Sequence, residues 1–142
     1  MEKQEIIVAA SGYFDPIHIG HIEYLELAKK LGDRLIVIVN NDAQAALKKG
    51  KSFMPLKERT EIVKALRCVD EVVASIDQDS TVCKTLEVIK PDIFAKGGDR
   101  YATEIPEAKV CRQHNIKIVD GLGAKIQSSS DLVSKAKQSK SP

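Results

Sequence analysis

The chain has 142 residues, which fits one domain that buries about two-thirds of the surface its unfolded form exposes. Lysine and arginine total 22 and aspartate and glutamate 20, so the net charge is only +2. This balance, with only three tyrosines and three phenylalanines, argues against a nucleic-acid-binding protein. No apolar run approaches a membrane span, and residues 1–5 are too charged for a signal peptide, so we expect a cytoplasmic protein.

Three cysteines, Cys68, Cys83 and Cys111, are far apart in the sequence. Their odd number and their spacing match neither a redox-active pair of thiols nor a zinc site. Each lies in an apolar context, which is typical of buried free thiols. The sequence therefore predicts no metal site built from protein side chains.

Apolar runs alternate with helical periodicity along the chain. The runs are continuously apolar, which indicates strands covered on both faces, as in a parallel sheet. This alternation predicts an α/β fold in one domain, residues 1–133, with an open, doubly wound, Rossmann-like parallel sheet of five strands and a polar tail at 134–142. In chain order we predict strand 6–10, helix 19–31, strand 35–39, helix 56–67, strand 71–75, helix 81–90, strand 93–95, helix 104–114 and strand 116–119.

The segment 12–21 (Gly-Tyr-Phe-Asp-Pro-Ile-His-Ile-Gly-His) lies between the first predicted strand and the first predicted helix. His18 and His21 are three residues apart at a helix start, so both lie on one face of that helix. The free N–H groups of the first turn and the helix dipole favour an anion there. Gly20 removes a side chain between the two imidazoles, and the segment therefore predicts a phosphate-binding turn.

Two further polar segments follow predicted strands. Residues 40–42 (Asn-Asn-Asp) end the second strand, and residues 96–99 (Lys-Gly-Gly-Asp) end the fourth. Ligands of open α/β sheets bind outside the carboxyl ends of the strands. We therefore expect both segments to lie at the same edge of the sheet as segment 12–21.

Segment 12–21 resembles the His-X-Gly-His signature of the nucleotidyltransferase superfamily, in the form found in its small cytidylyltransferase-like branch. Residues 56–59 (Leu-Lys-Glu-Arg) resemble the Glu-Arg helix start of that branch. Residues 128–130 are similar to its C-terminal Ser-Thr-Thr, with serines in place of the threonines. Residues 96–99 look most like the adenylyltransferase domain of the heptose 1-phosphate enzyme.

The resemblance implies that His18 and His21 contact a triphosphate and stabilise the charge that builds up during transfer. It places a phosphate-binding lysine in the loop after the second strand, for which Lys49 and Lys51 are the candidates. For Arg59 it implies phosphate binding or a role in site architecture. The alternative for this arginine is a surface ion pair with Glu58 or Glu61.

Other residues are expected to line the nucleotide site. At Gly12 the backbone approaches phosphate, and the resemblance implies that Tyr13 and Phe14 offer their N–H groups there, while the Phe14 ring belongs to the core. Asp15 either caps the first helix or contacts the ligand. By resemblance, the remaining candidates for nucleotide binding are Lys96, Gly97, Gly98, Asp99, Ser128, Ser129 and Ser130.

The resemblance implies transfer of a nucleoside monophosphate, with AMP from ATP preferred, to a sugar phosphate with release of pyrophosphate. Mg²⁺ would accompany the triphosphate, and a homodimer is expected. The alternatives are a CTP-dependent enzyme acting on glycerol 3-phosphate or another alcohol phosphate, an enzyme that forms a flavin nucleotide, and a non-catalytic nucleotide-binding module.

Overall fold

The computed structural model describes residues 5–50, 52–97 and 105–122, with positions 48, 49, 121 and 122 described for the backbone only. Within these ranges strands alternate with helices as predicted, except that two helices instead of one follow the second strand. The elements in chain order are β1 (Ile7–Gly12), α1 (Ile19–Lys29), β2 (Arg34–Val39), α2 (Asp42–Lys49), α3 (Leu56–Lys64), β3 (Glu71–Ala74), α4 (Cys83–Ile89), β4 (Ile93–Gly97), α5 (Glu107–Gln113) and β5 (Lys117–Leu122). The predicted tail at 134–142 lies outside the described residues.

The five strands form one parallel sheet in the order β3-β2-β1-β4-β5, which confirms the predicted architecture. The chain winds outward from β1 to β3 and then returns to place β4 on the other side of β1. The connection after β1 therefore runs toward β2, and the connection after β4 runs the other way, toward β5. The two connections leave a gap between β1 and β4. Such a switch point is where open α/β sheets form their ligand crevice.

Both faces of the sheet are buried, which accounts for the continuous apolar runs in the sequence. Val8 and Ala10 of β1 pack in one core with α1 and Val63 of α3. Ala9, on the opposite face of the same strand, packs in a second core with Leu86 of α4 and residues of α5. No helix within the described ranges is long and apolar enough to cross a membrane.

Helix α2 (Asp42–Lys49) is absent from the sequence-based prediction, which places the lysine run 48–51 in a loop. In the structure Lys48 and Lys49 belong to the last turn of this helix. A capping box starts it, because the Asn41 side chain accepts the N–H of Gln44 and the Gln44 side chain accepts the N–H of Asn41. Gly50 ends it with a left-handed φ of 89°. The prediction of a loop at 48–49 is therefore wrong.

Candidate active site

The two histidines of segment 12–21 form a stacked pair at the start of α1. His18 is the N-cap residue, and its Nδ1 accepts the N–H of Gly20 at 3.1 Å. The Nδ1 of His21 accepts the N–H of His18, also at 3.1 Å. The ring centroids are 3.9 Å apart and the ring planes differ by 23°. The two imidazoles thus lie side by side, as their spacing predicts, and together they form the capping box of the helix.

These caps select the tautomer of both neutral rings. A nitrogen that accepts a hydrogen bond carries no proton, so in each ring the proton is on Nε2. Among the described residues, the Nε2 of His18 is buried without a hydrogen-bond partner. A buried donor without a partner is costly in a folded protein. The site therefore contains a donor suited to an acceptor atom that a ligand would bring.

Burial lowers the pKa of His18 below its ordinary value of 6.5. The ring is therefore neutral near pH 7, which preserves both its Nδ1 cap and its Nε2–H. Protonation of Nδ1 would remove the acceptor for the Gly20 N–H and so uncouple the first turn of α1.

We expect the free energy of unfolding to decrease as the pH falls through 6.5. As the pH falls, the unfolded chain takes up a proton at His18 before the folded chain does. The loss of unfolding free energy therefore begins near the pKa of the unfolded chain and is complete below the lowered pKa of the folded chain. Urea unfolding at about pH 8 and about pH 5 measures the effect. His18→Asn keeps a good N-cap without a titrating ring, so its stability should vary less with pH. The same pH dependence in both proteins would contradict the assignment of this effect to His18.

The side chain of Phe14 contacts this pair of histidines through His21. Phe14 is 1% exposed, as predicted for a core residue, and its backbone has a left-handed φ of 52°. Its ring meets the ring of His21 edge-on, with centroids 5.0 Å apart. A Cβ at Gly12 would lie only 2.8 Å from the Cζ of Phe14. The Phe14 ring leaves no room for a side chain at position 12, which is enough to require glycine there. The predicted close approach of phosphate is not needed to explain this residue.

Of the two roles expected for Asp15, the helix cap is wrong, because the N-cap of α1 is His18. Contact with a ligand stays a prediction. The Asp15 carboxylate is 2% exposed and faces the segment before α3. Its Oδ2 accepts the N–H of Phe53 at 2.7 Å, and its Oδ1 accepts the N–H of Met54 at 2.6 Å. Asp15 thus joins the β1–α1 turn (residues 13–18) to residues 53–54.

Arg59 is completely buried, with a side chain that is 0% exposed, and it contacts several segments of the chain. Its Nε donates to the carbonyl of Met54 at 2.9 Å. Its Nη1 donates to the carbonyls of Tyr13 at 2.9 Å and Asn40 at 2.6 Å. Its Nη2 pairs with the carboxylate of Asp42 at 2.7 Å. The guanidinium therefore ties together the β1–α1 turn, the end of β2, the start of α2 and the segment before α3.

These contacts decide between the readings of Arg59 that the sequence leaves open. The surface ion pair with Glu58 or Glu61 is wrong, because the paired carboxylate belongs to Asp42. The geometry favours the architectural role over phosphate binding, because the Arg59 guanidinium makes four hydrogen bonds to oxygen atoms of the protein itself. Burial opposes ionisation of Asp42, but hydrogen bonds from Arg59 and from the Leu56 N–H outweigh it and lower the pKa of this carboxyl.

Sequence reasoning placed Asp42 at this edge of the sheet but missed its pairing with Arg59, and it missed Tyr24 altogether. The capping box at Asn41 was the available signal for Asp42, since it begins a helix beside the carboxyl edge of the sheet. Tyr24 spans β1 and β4 near the switch point: its hydroxyl donates to the carbonyl of Ala95 at 2.5 Å and accepts the N–H of Ser11 at 3.3 Å. Burial raises the Tyr24 pKa, so the hydroxyl stays protonated. No sequence pattern distinguishes Tyr24 from an ordinary core residue.

The other predicted site residues are placed only in part. Lys96 and Gly97 end β4, beside the end of β1, and the Lys96 Nζ lies 5.5 Å from the centroid of the Phe94 ring. The described residues bring together no group of three or more histidine, cysteine, aspartate or glutamate side chains that could hold a metal ion. The side chain of Lys49 and all of Lys51, Gly98, Asp99, Ser128, Ser129 and Ser130 lie outside the described residues, so their roles stay predictions.

A family model of cytidylyltransferase-like proteins matches residues 9–134 of this chain. The chain belongs to the cytidylyltransferase-like family. This membership and the five-stranded parallel sheet confirm the prediction of an α/β nucleotidyltransferase domain, and with it the prediction of an enzyme. The paired imidazoles lie in segment 12–21 and the buried arginine in residues 56–59, two of the segments whose sequence resembles motifs of this family.

Two curated proteins are similar to this chain over most of its length. The chain is 42% identical over 110 residues to an FAD synthase of Ferroglobus placidus, covering 78% of this chain and 70% of that protein. It is 41% identical over 109 residues to the bifunctional protein HldE of Streptomyces coelicolor, covering 75% of this chain but 23% of HldE. The chain thus spans about a quarter of the length of the HldE proteins it matches.

A solved structure confirms the fold. A lipopolysaccharide core biosynthesis protein from Thermoplasma volcanium superimposes with a TM-score of 0.70 at 33% identity, over 82% of this chain and 96% of that one.

Proposed function

We propose that this domain transfers AMP from ATP to the phosphate group of a small-molecule acceptor and releases pyrophosphate. One observation carries the proposal: two imidazoles are fixed at the start of α1 by backbone caps that leave Nε2 as the proton-bearing atom of each ring. These rings follow β1, next to the β1–β4 switch point, where a nucleotide would bind.

In the proposed reaction, an oxygen of the acceptor phosphate attacks the α-phosphorus of ATP. A bond forms between that oxygen and phosphorus, the bond from phosphorus to the bridging oxygen breaks, and pyrophosphate leaves with the electron pair. Negative charge increases on the phosphate oxygens, and His18 and His21 stabilise it by donating hydrogen bonds from Nε2. Donors that are held in place before the reaction lower its barrier without reorganisation. No covalent enzyme intermediate is required.

Magnesium would arrive with the triphosphate and offset its charge, held mainly by phosphate oxygens. The predicted lysine, Lys49 or Lys51, would add a further positive charge. The serines 128–130 and residues 96–99 are proposed to hold the outer phosphates and the nucleoside, on the strength of the family resemblance. A homodimer and a cytoplasmic location also stay predictions.

The preferred acceptor is a sugar phosphate. The resemblance of residues 96–99 to the heptose 1-phosphate adenylyltransferase supports it, and so does the similar lipopolysaccharide core biosynthesis protein. The FAD synthase relative favours a second candidate, since its similarity extends over 70% of that protein. Transfer of AMP to the phosphate of flavin mononucleotide would form FAD.

Pyrophosphate release with a panel of substrates tests the proposal. ATP and CTP are each combined with heptose 1-phosphate, flavin mononucleotide and glycerol 3-phosphate. We expect release with ATP and either the sugar phosphate or the flavin. Release only with CTP and glycerol 3-phosphate would establish the cytidylyltransferase alternative. Nucleotide binding without release in any combination would contradict an enzyme and favour the non-catalytic module.

A further inference from the structure

Met54 lies between two buried, charged side chains. Its N–H donates to Oδ1 of Asp15 at 2.6 Å, and its carbonyl accepts from Nε of Arg59 at 2.9 Å. Asp15 is 2% exposed and Arg59 is 1% exposed. A charge this deeply buried persists only if it is paired or fully hydrogen-bonded. The backbone of Met54 therefore connects the carboxylate of Asp15 to the guanidinium of Arg59 and links two opposite charges.

The same two charges also hold the β1–α1 turn. Nη1 of Arg59 donates to the carbonyl of Tyr13 at 2.9 Å, and Asp15 follows Tyr13 by two residues. The contacts therefore close a ring that runs through Tyr13, Phe14, Asp15, Met54 and Arg59. We call these five residues the buried charge ring.

Phe14 is the member of the buried charge ring that is held on both sides. Its φ of 52° lies in a region that bulky residues rarely adopt. Such a conformation persists only where the surrounding contacts determine it. Here those contacts are the bond to the carbonyl of Tyr13 before it and the two bonds to the carboxylate of Asp15 after it.

Phe14 also connects the buried charge ring to the paired imidazoles. Its side chain meets His21 edge-on, with centroids 5.0 Å apart, and His21 stacks on His18 at 3.9 Å. The backbone caps hold the Nδ1 side of each imidazole, and the Phe14 ring supports the His21 ring and, through it, the stacked His18 ring. Phe14 in turn depends on its two restrained neighbours.

We propose that Asp15 is a positioning residue of the transfer reaction, which fixes Phe14 and thereby the orientation of both imidazoles. This inference rests on the proposed function. Asp15 acts through Phe14, and its carboxylate oxygens bind the N–H groups of Phe53 and Met54. It is therefore expected to govern the rate of transfer more than the affinity for the nucleotide.

Asp15→Asn is the first test, because it preserves size but removes the charge and turns one acceptor into a donor facing an N–H group. We expect kcat to fall by up to about 10²-fold, as for a small misplacement of reacting groups, while KM for ATP changes little. Nitrogen-15 NMR of the histidines, recorded without nucleotide, should show the single Nε2–H tautomer in the parent protein. In the variant it should show a mixture of tautomers.

Asp77→Asn is the matched control. Asp77 is also 2% exposed, and its carboxylate likewise accepts two backbone N–H groups, those of Lys84 at 2.8 Å and Thr85 at 3.0 Å. It supports α4 and contributes nothing to the buried charge ring. Asp77→Asn should lower stability but leave kcat and the histidine tautomers unchanged. A purely structural role of Asp15 would make the two variants behave alike.

Arg59→Lys tests the opposite side of the ring if Asp15→Asn does not fold. It retains the charge but loses the forked contacts to Tyr13 and Met54, so the same fall in kcat and the same tautomer mixture are expected. Parent-like kcat and tautomers in the first variant that folds would overturn the proposal. If the parent protein releases no pyrophosphate with any substrate pair, the proposed function fails. The tautomer measurement then decides alone whether Asp15 positions the imidazoles.

Discussion

Replacing His21 with alanine is expected to lower kcat by ~10²–10³-fold, the effect of removing one preorganised donor from a transition state. The affinity for ATP should change less, because the donor matters most when charge on the transferred phosphoryl group is greatest. Steady-state kinetics of pyrophosphate release, together with nucleotide binding measured separately, gives both quantities.

His21→Gln separates the catalytic donor from the helix cap. Glutamine at this position accepts the N–H of the N-cap residue in an ordinary capping box, so it should preserve the start of α1. Its kcat should still fall, because it lacks the imidazole Nε2–H. His114→Ala, at an exposed position following α5, should leave kcat unchanged. Equal losses of affinity and kcat in His21→Ala would instead mean that the ring binds the ground state.

Arg59→Ala is expected to reduce the free energy of unfolding by about 3–5 kcal/mol, because three carbonyls lose a charged donor and each buried polar group left without a partner costs about 1–3 kcal/mol. The carbonyls of Tyr13, Asn40 and Met54 lose their buried donor, and Asp42 loses its partner. Since domains are typically stable by about 5–15 kcal/mol, the variant would be close to unfolding at physiological temperature. Urea unfolding measures the difference.

Arg34→Ala provides the comparison for this loss. Arg34 pairs with Glu71 at 3.0 Å on the surface, where both side chains are more than two-fifths exposed. An exposed pair of this kind contributes at most about 1 kcal/mol. Similar losses in Arg34→Ala and Arg59→Ala would show that the buried contacts of Arg59 do not stabilise the fold.

The fold could be predicted because its signals are local and repeated. Continuous apolar runs such as 35–39 require cover on both faces, and the structure buries Leu35, Val37 and Ile38 completely. The pairing of His18 and His21 follows from helical spacing alone. Helix α2 could have been predicted as well, since Asn41 and Gln44 have the spacing of a capping box.

The support of the site could not be predicted, because it consists of side chains bound to distant backbone groups. Arg59 reaches the carbonyl of Tyr13, which is 46 positions away in the sequence, and Asp15 reaches the N–H of Met54, which is 39 positions away. Every residue offers a carbonyl, and all but proline an N–H, so nothing in the residue types marks these partners. Helix-capping preference suggested the wrong structural role for Asp15, one of two roles left open, because it considers only neighbours in sequence.

The way in which α1 begins bears on which acceptors suit the proposed reaction. In each imidazole one nitrogen is committed to a backbone amide and the other already holds a hydrogen, so neither ring has a lone pair left for a further proton. These rings are therefore unsuited to act as a general base that would activate an alcohol. In the proposed reaction, an acceptor that arrives already ionised, such as a phosphate monoester, needs no such help, whereas a free hydroxyl would lack a base at these two rings.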